Sequence, residues 1–261
     1  MINPLDCTGK TILVTGASSG LGREISILLS QLGAKIVLIG RSETRLKETI
    51  LLLSGKEHVT ETRDLSDIES IPEWLKHLSS SIGCFNGLVH CAGVRITSPL
   101  RYTSVRQFED LMRINVSAAF SLAKGFRQKG VCASPASIVY MSSVMAQVST
   151  PGLTAYSASK GALSSLVKPL ALELAKEGIR VNCLAPAVVK TEMMESYFQK
   201  MLPDQLSQLK QMHPLGLGVP RDVANAAAYL LADRCDACNH FATITEQTFP
   251  HRNFQANTFK F

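Results

Sequence analysis

A short β-branched run, Thr11-Ile12-Leu13-Val14-Thr15, empties directly into Gly16-Ala17-Ser18-Ser19-Gly20-Leu21-Gly22. An amphipathic helical pattern comes next, with Ile25, Leu28, Leu29 and Leu32 on its apolar face, and Gly33 ends it. A glycine-rich loop alone is a weak signal. Between a strand and a helix it constrains the fold strongly, because the glycines let the chain turn sharply and bring backbone close to a ligand. The loop amides and the positive end of the helix then form a site for a pyrophosphate. Gly16, Ser18, Ser19, Gly20, Leu21 and Gly22 are therefore candidate cofactor-binding residues.

The strand–helix alternation continues along the chain. Lys35 to Ile39 reads as a second, buried strand and ends in Gly40-Arg41. In dinucleotide folds a carboxylate near this point selects NAD through the ribose hydroxyls, whereas an arginine accommodates the phosphate of NADP. Arg41 fits the phosphate by its forked, charge-assisted donors; its plainer reading is a solvated residue before a helix N-cap at Ser42. Helices are expected over residues 42–53 and 68–80, the latter with Pro72 in its first turn, and a third strand over 58–63. Asp64 and Leu65 end that strand, where Asp64 either meets an adenine amino group or caps the next helix. A fourth strand, Gly87 to His90, leads into Cys91-Ala92-Gly93, whose small residues Ala92 and Gly93 would admit a cofactor. His90 and Cys91 have no partner nearby in sequence and read as packed core.

Residues 105–130 read as one long helix with Asn115 inside its apolar pattern. A buried Asn must find partners, so it either satisfies a helix irregularity or holds a water at a site. A fifth strand over 137–141 opens into Ser142-Ser143, and a helix begins near Thr154 and runs to Lys176 before Gly178. Tyr156 and Lys160 are four residues apart and share a helix face. An ammonium beside a phenol favours the phenolate and makes a general acid or base near neutral pH, although such a pair on its own is as consistent with a surface contact. Ser143 at the strand mouth offers a hydroxyl for a substrate oxygen. A sixth strand, Arg180 to Leu184, is followed by a covering, mobile segment over 193–218 and a last helix from Pro220 to Leu231. The pattern predicts an α/β fold, a doubly wound parallel sheet (Rossmann-like) in a single domain. Its ligands are expected beyond the carboxyl ends of the strands.

Composition narrows the function classes. The chain has 261 residues, 46% hydrophobic and 18% charged, enough for one substantial core and incompatible with a disordered polymer. A net charge of +6 suits an anionic small molecule, while scattered Lys and Arg argue against nucleic acid. No apolar run approaches a membrane span, the N-terminus lacks the pattern of a secretory signal, and seven irregularly spaced cysteines point to reduced thiols and a cytoplasmic location.

Together, Thr15 to Gly22, Asn115, Ser143 and Tyr156-Ser157-Ala158-Ser159-Lys160 resemble the classical short-chain dehydrogenases/reductases. The closest pattern is that of β-ketoacyl-(acyl carrier protein) reductase-like members. The glycine and Tyr-x-x-x-Lys patterns are loose separately. Their order, with Ser143 thirteen residues before Tyr156 and Asn115 twenty-eight before Ser143, is highly specific. The resemblance covers residues 8–233 as an NADP-binding catalytic domain and leaves an atypical tail over 234–261. It implies an NADP(H)-dependent oxidoreductase that interconverts a carbonyl and a secondary alcohol, with a small-molecule substrate such as a β-ketoacyl thioester or a sugar.

In that family pattern Tyr156 is the proton donor, Lys160 assists it and bonds the nicotinamide ribose, Ser143 holds the carbonyl, and Asn115 seats a relay water. Val189 and Thr191 would meet the nicotinamide carboxamide. A homo-oligomer is implied, which the unusual tail would weaken, and a carrier-bound substrate would meet Lys124, Arg127 and Lys129 unless these form a solvated helix end.

The chain departs from the pattern at three places. His90-Cys91 stand where the family has Asn-Asn, Pro186-Ala187 where it has Pro-Gly, and the ending after Asp233 differs. That tail reads as a possible strand over 241–249. Its Cys235, Cys238 and His240 are too few and too loosely placed for a structural metal site. A second reading keeps the fold as a catalytically weak cofactor-binding regulatory or scaffold protein.

Overall fold

The structure, a computed structural model, describes residues 3–199, 201–232 and 238–239. Six parallel strands form one sheet: β1 (Thr11–Thr15), β2 (Lys35–Gly40), β3 (Val59–Thr62), β4 (Phe85–His90), β5 (Cys132–Met141) and β6 (Ile179–Leu184). Their spatial order is β3-β2-β1-β4-β5-β6. The doubly wound architecture expected from the strand–helix alternation is therefore present, with the order reversing between β1 and β4. In such a sheet that reversal opens a crevice at the carboxyl ends of the strands.

The strand sequences explain why both faces are covered. Leu13 of β1 points into one core with Leu88, Ile138 and Val181, while its neighbours Ile12 and Val14 point into the other with Ile36, Val89 and Val139. The first core is closed by α3 (Ile71–Ile82), α5 (Ala118–Phe126) and α6 (Thr154–Ala175), and the second by α1 (Gly20–Gln31) and α9 (Pro220–Leu231). Alternation along an extended strand sends successive side chains to opposite faces, so a strand buried on both must be apolar throughout. Each fully buried Leu or Ile contributes about 1.5–3 kcal/mol relative to exposure.

Three elements differ from the sequence reading. β5 begins at Cys132 and not at Ser137, because it pairs beside β4 from Phe85 onward although its first residues carry no apolar run. The stretch 105–130 is not one α-helix: α4 (Val105–Met112) passes into a π-helical turn, Arg113–Ser117, before α5 resumes. Asn115 lies in that turn, so the helix irregularity raised by a buried Asn is real. The covering segment holds two short helices, α7 (Glu192–Phe198) and α8 (Pro203–Gln211). The α2 helix (Glu43–Ile50) is capped by Ser42, whose hydroxyl accepts the Arg45 N–H at 3.4 Å.

No described helix is long and apolar enough to cross a membrane, and no cluster of metal-ligating side chains occurs among the described residues. The strand considered over 241–249 lies outside them, as do Cys235 and His240. Cys238 lies within them, and its carbonyl accepts from Asn182 Nδ2 at 2.8 Å.

Candidate active site

The β1–α1 turn works because of what it lacks. Gly16 has a φ of +67°, and a Cβ there would lie 2.7 Å from Ala92 N, in the loop after β4. A Cβ on Gly22 would lie 2.3 Å from the Gly16 carbonyl oxygen. Side chains at either position would separate α1 from β1, or β1 from β4, at the place where the sheet order reverses. The first turn of α1 is thereby held open toward the crevice. Arg23 secures it, donating to the Ser18 carbonyl at 2.6 Å and reaching Glu192 of α7 at 3.4 Å.

The proton-handling end is built by side chains. Ser142 donates to the Lys160 carbonyl at 2.9 Å and shares a hydrogen bond with Ser164 Oγ at 2.7 Å, tying the end of β5 to α6. That tie sets Ser143 at the strand mouth, where its hydroxyl oxygen accepts the Met145 N–H at 3.2 Å and its own proton is left to donate. Lys160 is 7% exposed and donates to the Met141 carbonyl at 2.8 Å, with its Nζ 5.8 Å from the centre of the Tyr156 ring. The pair expected from i,i+4 spacing is thus a pair inside the protein and not a surface contact.

One cavity of about 800 Å³ joins the two ends. Every residue assigned to a cofactor from the sequence lines it, from the glycine loop through Arg41, Asp64, Leu65, Ala92 and Gly93 to Val189 and Thr191, as do Ser143, Tyr156 and Lys160. Arg41 is exposed at its rim. Asp64 does not cap a helix: its carboxylate accepts the Ser66 N–H at 2.9 Å in a local turn. That bond, with a smaller contribution from Arg41, holds the carboxyl below its ordinary value despite partial burial. Thr191 caps α7, accepting the Met194 N–H at 3.4 Å, and its methyl lies 3.6 Å from where a Gly20 Cβ would sit.

Asn115 stands one layer behind the cavity wall. Its Oδ1 accepts the Val94 N–H at 2.8 Å, while Nδ2 donates to the Val94 carbonyl at 2.9 Å and to Ser159 Oγ at 3.0 Å. The side chain thus clamps the loop after β4 onto α6. Gly93 makes room for it, since a Cβ there would lie 3.1 Å from Asn115 Oδ1 and 3.5 Å from Lys160 Nζ.

His90 is a core residue, as expected, whereas Cys91 is only partly buried and lines the cavity. His90 is 1% exposed, and its Nδ1 shares a 2.8 Å hydrogen bond with Thr15 Oγ1, which ties β4 to β1. Burial, aided by the Lys160 charge, pushes the His90 pKa down to about 3, and burial pushes the Cys91 thiol up to about 12. A thiol so raised is a poor nucleophile at neutral pH.

Among the cavity residues that the sequence reading did not assign to the site are two arginines. Arg63 lines the cavity near Asp64 and lies 5.4 Å over Trp74. Arg95 lines it two residues after Gly93, between the Tyr156 and Tyr197 rings. The signal that could have found Arg95 is positional, a charged residue in a loop at the carboxyl end of β4.

Comparison with known proteins agrees with this architecture. Residues 10–202 match the short chain dehydrogenase family. The chain is 34% identical over 245 residues to the 3-oxoacyl-[acyl-carrier-protein] reductase FabG of Rickettsia typhi, covering 94% of this chain and 95% of that protein. It is 34% identical to carbonyl reductase [NADPH] 2 of Sus scrofa, covering 88% and 92% of the two chains. A solved dehydrogenase/reductase from Sinorhizobium meliloti superposes with a TM-score of 0.82 at 28% identity, covering 92% of this chain and 95% of that one. With that match over most of its length, the chain belongs to the classical short-chain dehydrogenase/reductase family.

Proposed function

We propose that the protein is an NADP(H)-dependent oxidoreductase that interconverts small-molecule carbonyl compounds and secondary alcohols by hydride transfer. The observation that carries this reading is that Ser143, Tyr156 and Lys160 share one cavity with the glycine-lined turn of α1. The residues fit a dinucleotide: backbone approaches closely where Gly16 and Gly22 leave no room for a Cβ, α1 presents its N-terminus, and Arg41 at the rim suits a further phosphate.

When bound, the reduced nicotinamide supplies a hydride to the carbonyl carbon. Ser143 donates a hydrogen bond to the carbonyl oxygen and holds it toward Tyr156. Tyr156 transfers its phenolic proton to that oxygen as negative charge develops there, which completes the alcohol. Lys160, fixed by the Met141 carbonyl, holds its ammonium 5.8 Å from the centre of the Tyr156 ring, where it faces the negative charge that develops during the transfer. Asn115 acts through the main chain of Val94, holding the loop after β4 against α6. The thiol-state cysteines among the described residues suit a reducing, cytoplasmic setting. The exposed apolar side chains of Phe120 on α5 and Leu172 on α6 suit a homo-oligomer.

Oxidation of NADPH and of NADH, followed over a panel of ketones, 3-oxoacyl thioesters and keto sugars, tests the reading. NADPH is expected to be preferred, and Tyr156→Phe is expected to lower kcat by about 10²–10⁴-fold. A preference for NADH removes the role given to Arg41. Tight NADPH binding without turnover of any carbonyl, unchanged in Tyr156→Phe, favours a regulatory cofactor-binding protein instead.

A further inference from the structure

Arg95 is a charged group in the substrate half of the cavity without a counter-charge. It is half-buried, and its guanidinium lies 5.9 Å from the Tyr156 ring centre and 4.8 Å from that of Tyr197 on α7. Its one polar contact among the described residues is Nη1 to the thioether sulfur of Met194 at 3.2 Å, a weak acceptor, and its Nε is fully buried with no partner there. No carboxylate among the described residues pairs with it. The cavity's nearby acid, Glu192, already faces Arg23 at 3.4 Å.

A guanidinium is rarely held this way without an anion, because its planar fork of donors costs free energy when desolvated and left unmatched. The two tyrosine rings and Met194 fix its plane but offer it no strong acceptor. Its Nη donors, unlike the buried Nε, therefore remain available to something that enters the cavity beside Tyr156.

We infer that the substrate is an oxo acid whose carboxylate is bound by Arg95 while its ketone oxygen lies between Ser143 and Tyr156. The inference rests on the carbonyl-reductase reading and narrows its substrate class. Arg95 thus becomes a specificity-determining residue. A bidentate carboxylate at this fork adds charge-assisted hydrogen bonds that an ester of the same shape does not make. The free acid is then expected to bind at least about 30-fold more tightly than its methyl ester.

The test compares 2-oxo and 3-oxo acids of four to six carbons with their methyl esters. Binding is measured by quenching of protein fluorescence, with and without NADP+, and turnover by NADPH oxidation. The full-length wild type is expected to favour the acid by about 30-fold or more in both Kd and kcat/KM. Arg95→Met should reduce the acid-to-ester ratio to about 1–3, and Arg95→Lys should restore part of it. The ratio, and not the absolute rate, is what decides. A wild type that binds ester and acid alike overturns the inference. So does an Arg95→Met protein that weakens both ligands equally and keeps the ratio, since that marks a purely structural latch. If the acid is preferred in binding but no carbonyl is reduced, the carbonyl-reductase reading fails while the anion site stands.

Discussion

The two ends of the cavity are built by opposite means. At the β1–α1 end the working parts are backbone, and the site depends on side chains being absent: Gly16 lies against Ala92, and Gly22 against Gly16. At the β5–α6 end the working parts are polar side chains held by other polar side chains. Ser142 binds Ser164 and the Lys160 carbonyl, Lys160 binds the Met141 carbonyl, and Asn115 binds Val94 and Ser159. One end should fail when an atom is added and the other when a hydrogen-bonding group is removed. The two ends rest on different strand tips, β1 and β5 with β4 between them, so each perturbation reports on its own half of the cavity.

The largest effect is expected from removal. Asn115→Leu keeps the branched outline of the side chain but leaves the N–H and C=O of Val94 without their partner, while the Ser159 hydroxyl keeps its bond to the Tyr156 carbonyl. Unsatisfied groups of this kind cost about 1–3 kcal/mol each, and with two affected the total is expected at about 3–5 kcal/mol. Urea denaturation at pH 7 measures it. A loss below about 1 kcal/mol would mean that water replaces Asn115 at no great cost, and the contrast between the two ends would dissolve.

Addition comes next. A Cβ at Gly22 meets a carbonyl oxygen of the backbone, not the end of a flexible side chain, so Gly22→Ala must shift α1 away from β1. Overpacking of this type costs about 1–3 kcal/mol, and here the upper part of that range is expected. The first turn of α1 moves with it, so NADPH affinity should fall along with stability. Isothermal titration of the variant checks this. Unchanged affinity would show that the cradle tolerates the added methyl and that the close approach is not what the glycine secures.

The same contrast explains what could be read from the chain alone. A backbone cradle leaves glycines at a strand–helix junction, and the Gly16–Gly22 spacing was legible for that reason. Tyr156, Lys160 and Ser143 were legible because a helix repeat and a strand end place them. The length of β5 was not, because Cys132 pairs with Phe85 of β4 through the backbone, and the register then shifts before Ser137 with no apolar pattern to mark the extension. Nor was the π-helical turn around Asn115, since one extra residue in a helix hardly disturbs a short apolar repeat; a buried Asn could only raise the question. Arg95 was hidden because its surroundings are tertiary: Tyr156, Met194 and Tyr197 reach it from α6 and α7, which sequence spacing cannot bring together.

The smallest effect belongs to the residue where the two ends meet. His90 closes β4, bonds Thr15 of β1 through Nδ1, and stands edge-on to Tyr140 with ring centres 6.0 Å apart. Its Nε2 is buried without a partner among the described residues, so protonation would place a charge there that neither water nor a carboxylate receives. Burial first, and the Lys160 charge second, lower its folded pKa to about 3, against about 6.5 in an unfolded chain. Between those values the unfolded state binds the proton and the folded state does not. Stability linked to His90 is therefore complete above about pH 6.5 and is lost progressively as the pH falls toward 3. By pH 5 the loss amounts to about 2 kcal/mol. His90→Asn removes the titrating group, so its stability should fall less than that of the wild type between pH 7 and pH 5, by about that amount. Carboxylates such as Asp64 titrate in both proteins and cancel in the difference. Equal acid sensitivity in the two proteins would mean that His90 accepts its proton in the folded state. The tie between β1 and β4 would then hold a charged imidazole beside Lys160, and the junction of the two ends would have to be more open to water than its burial indicates.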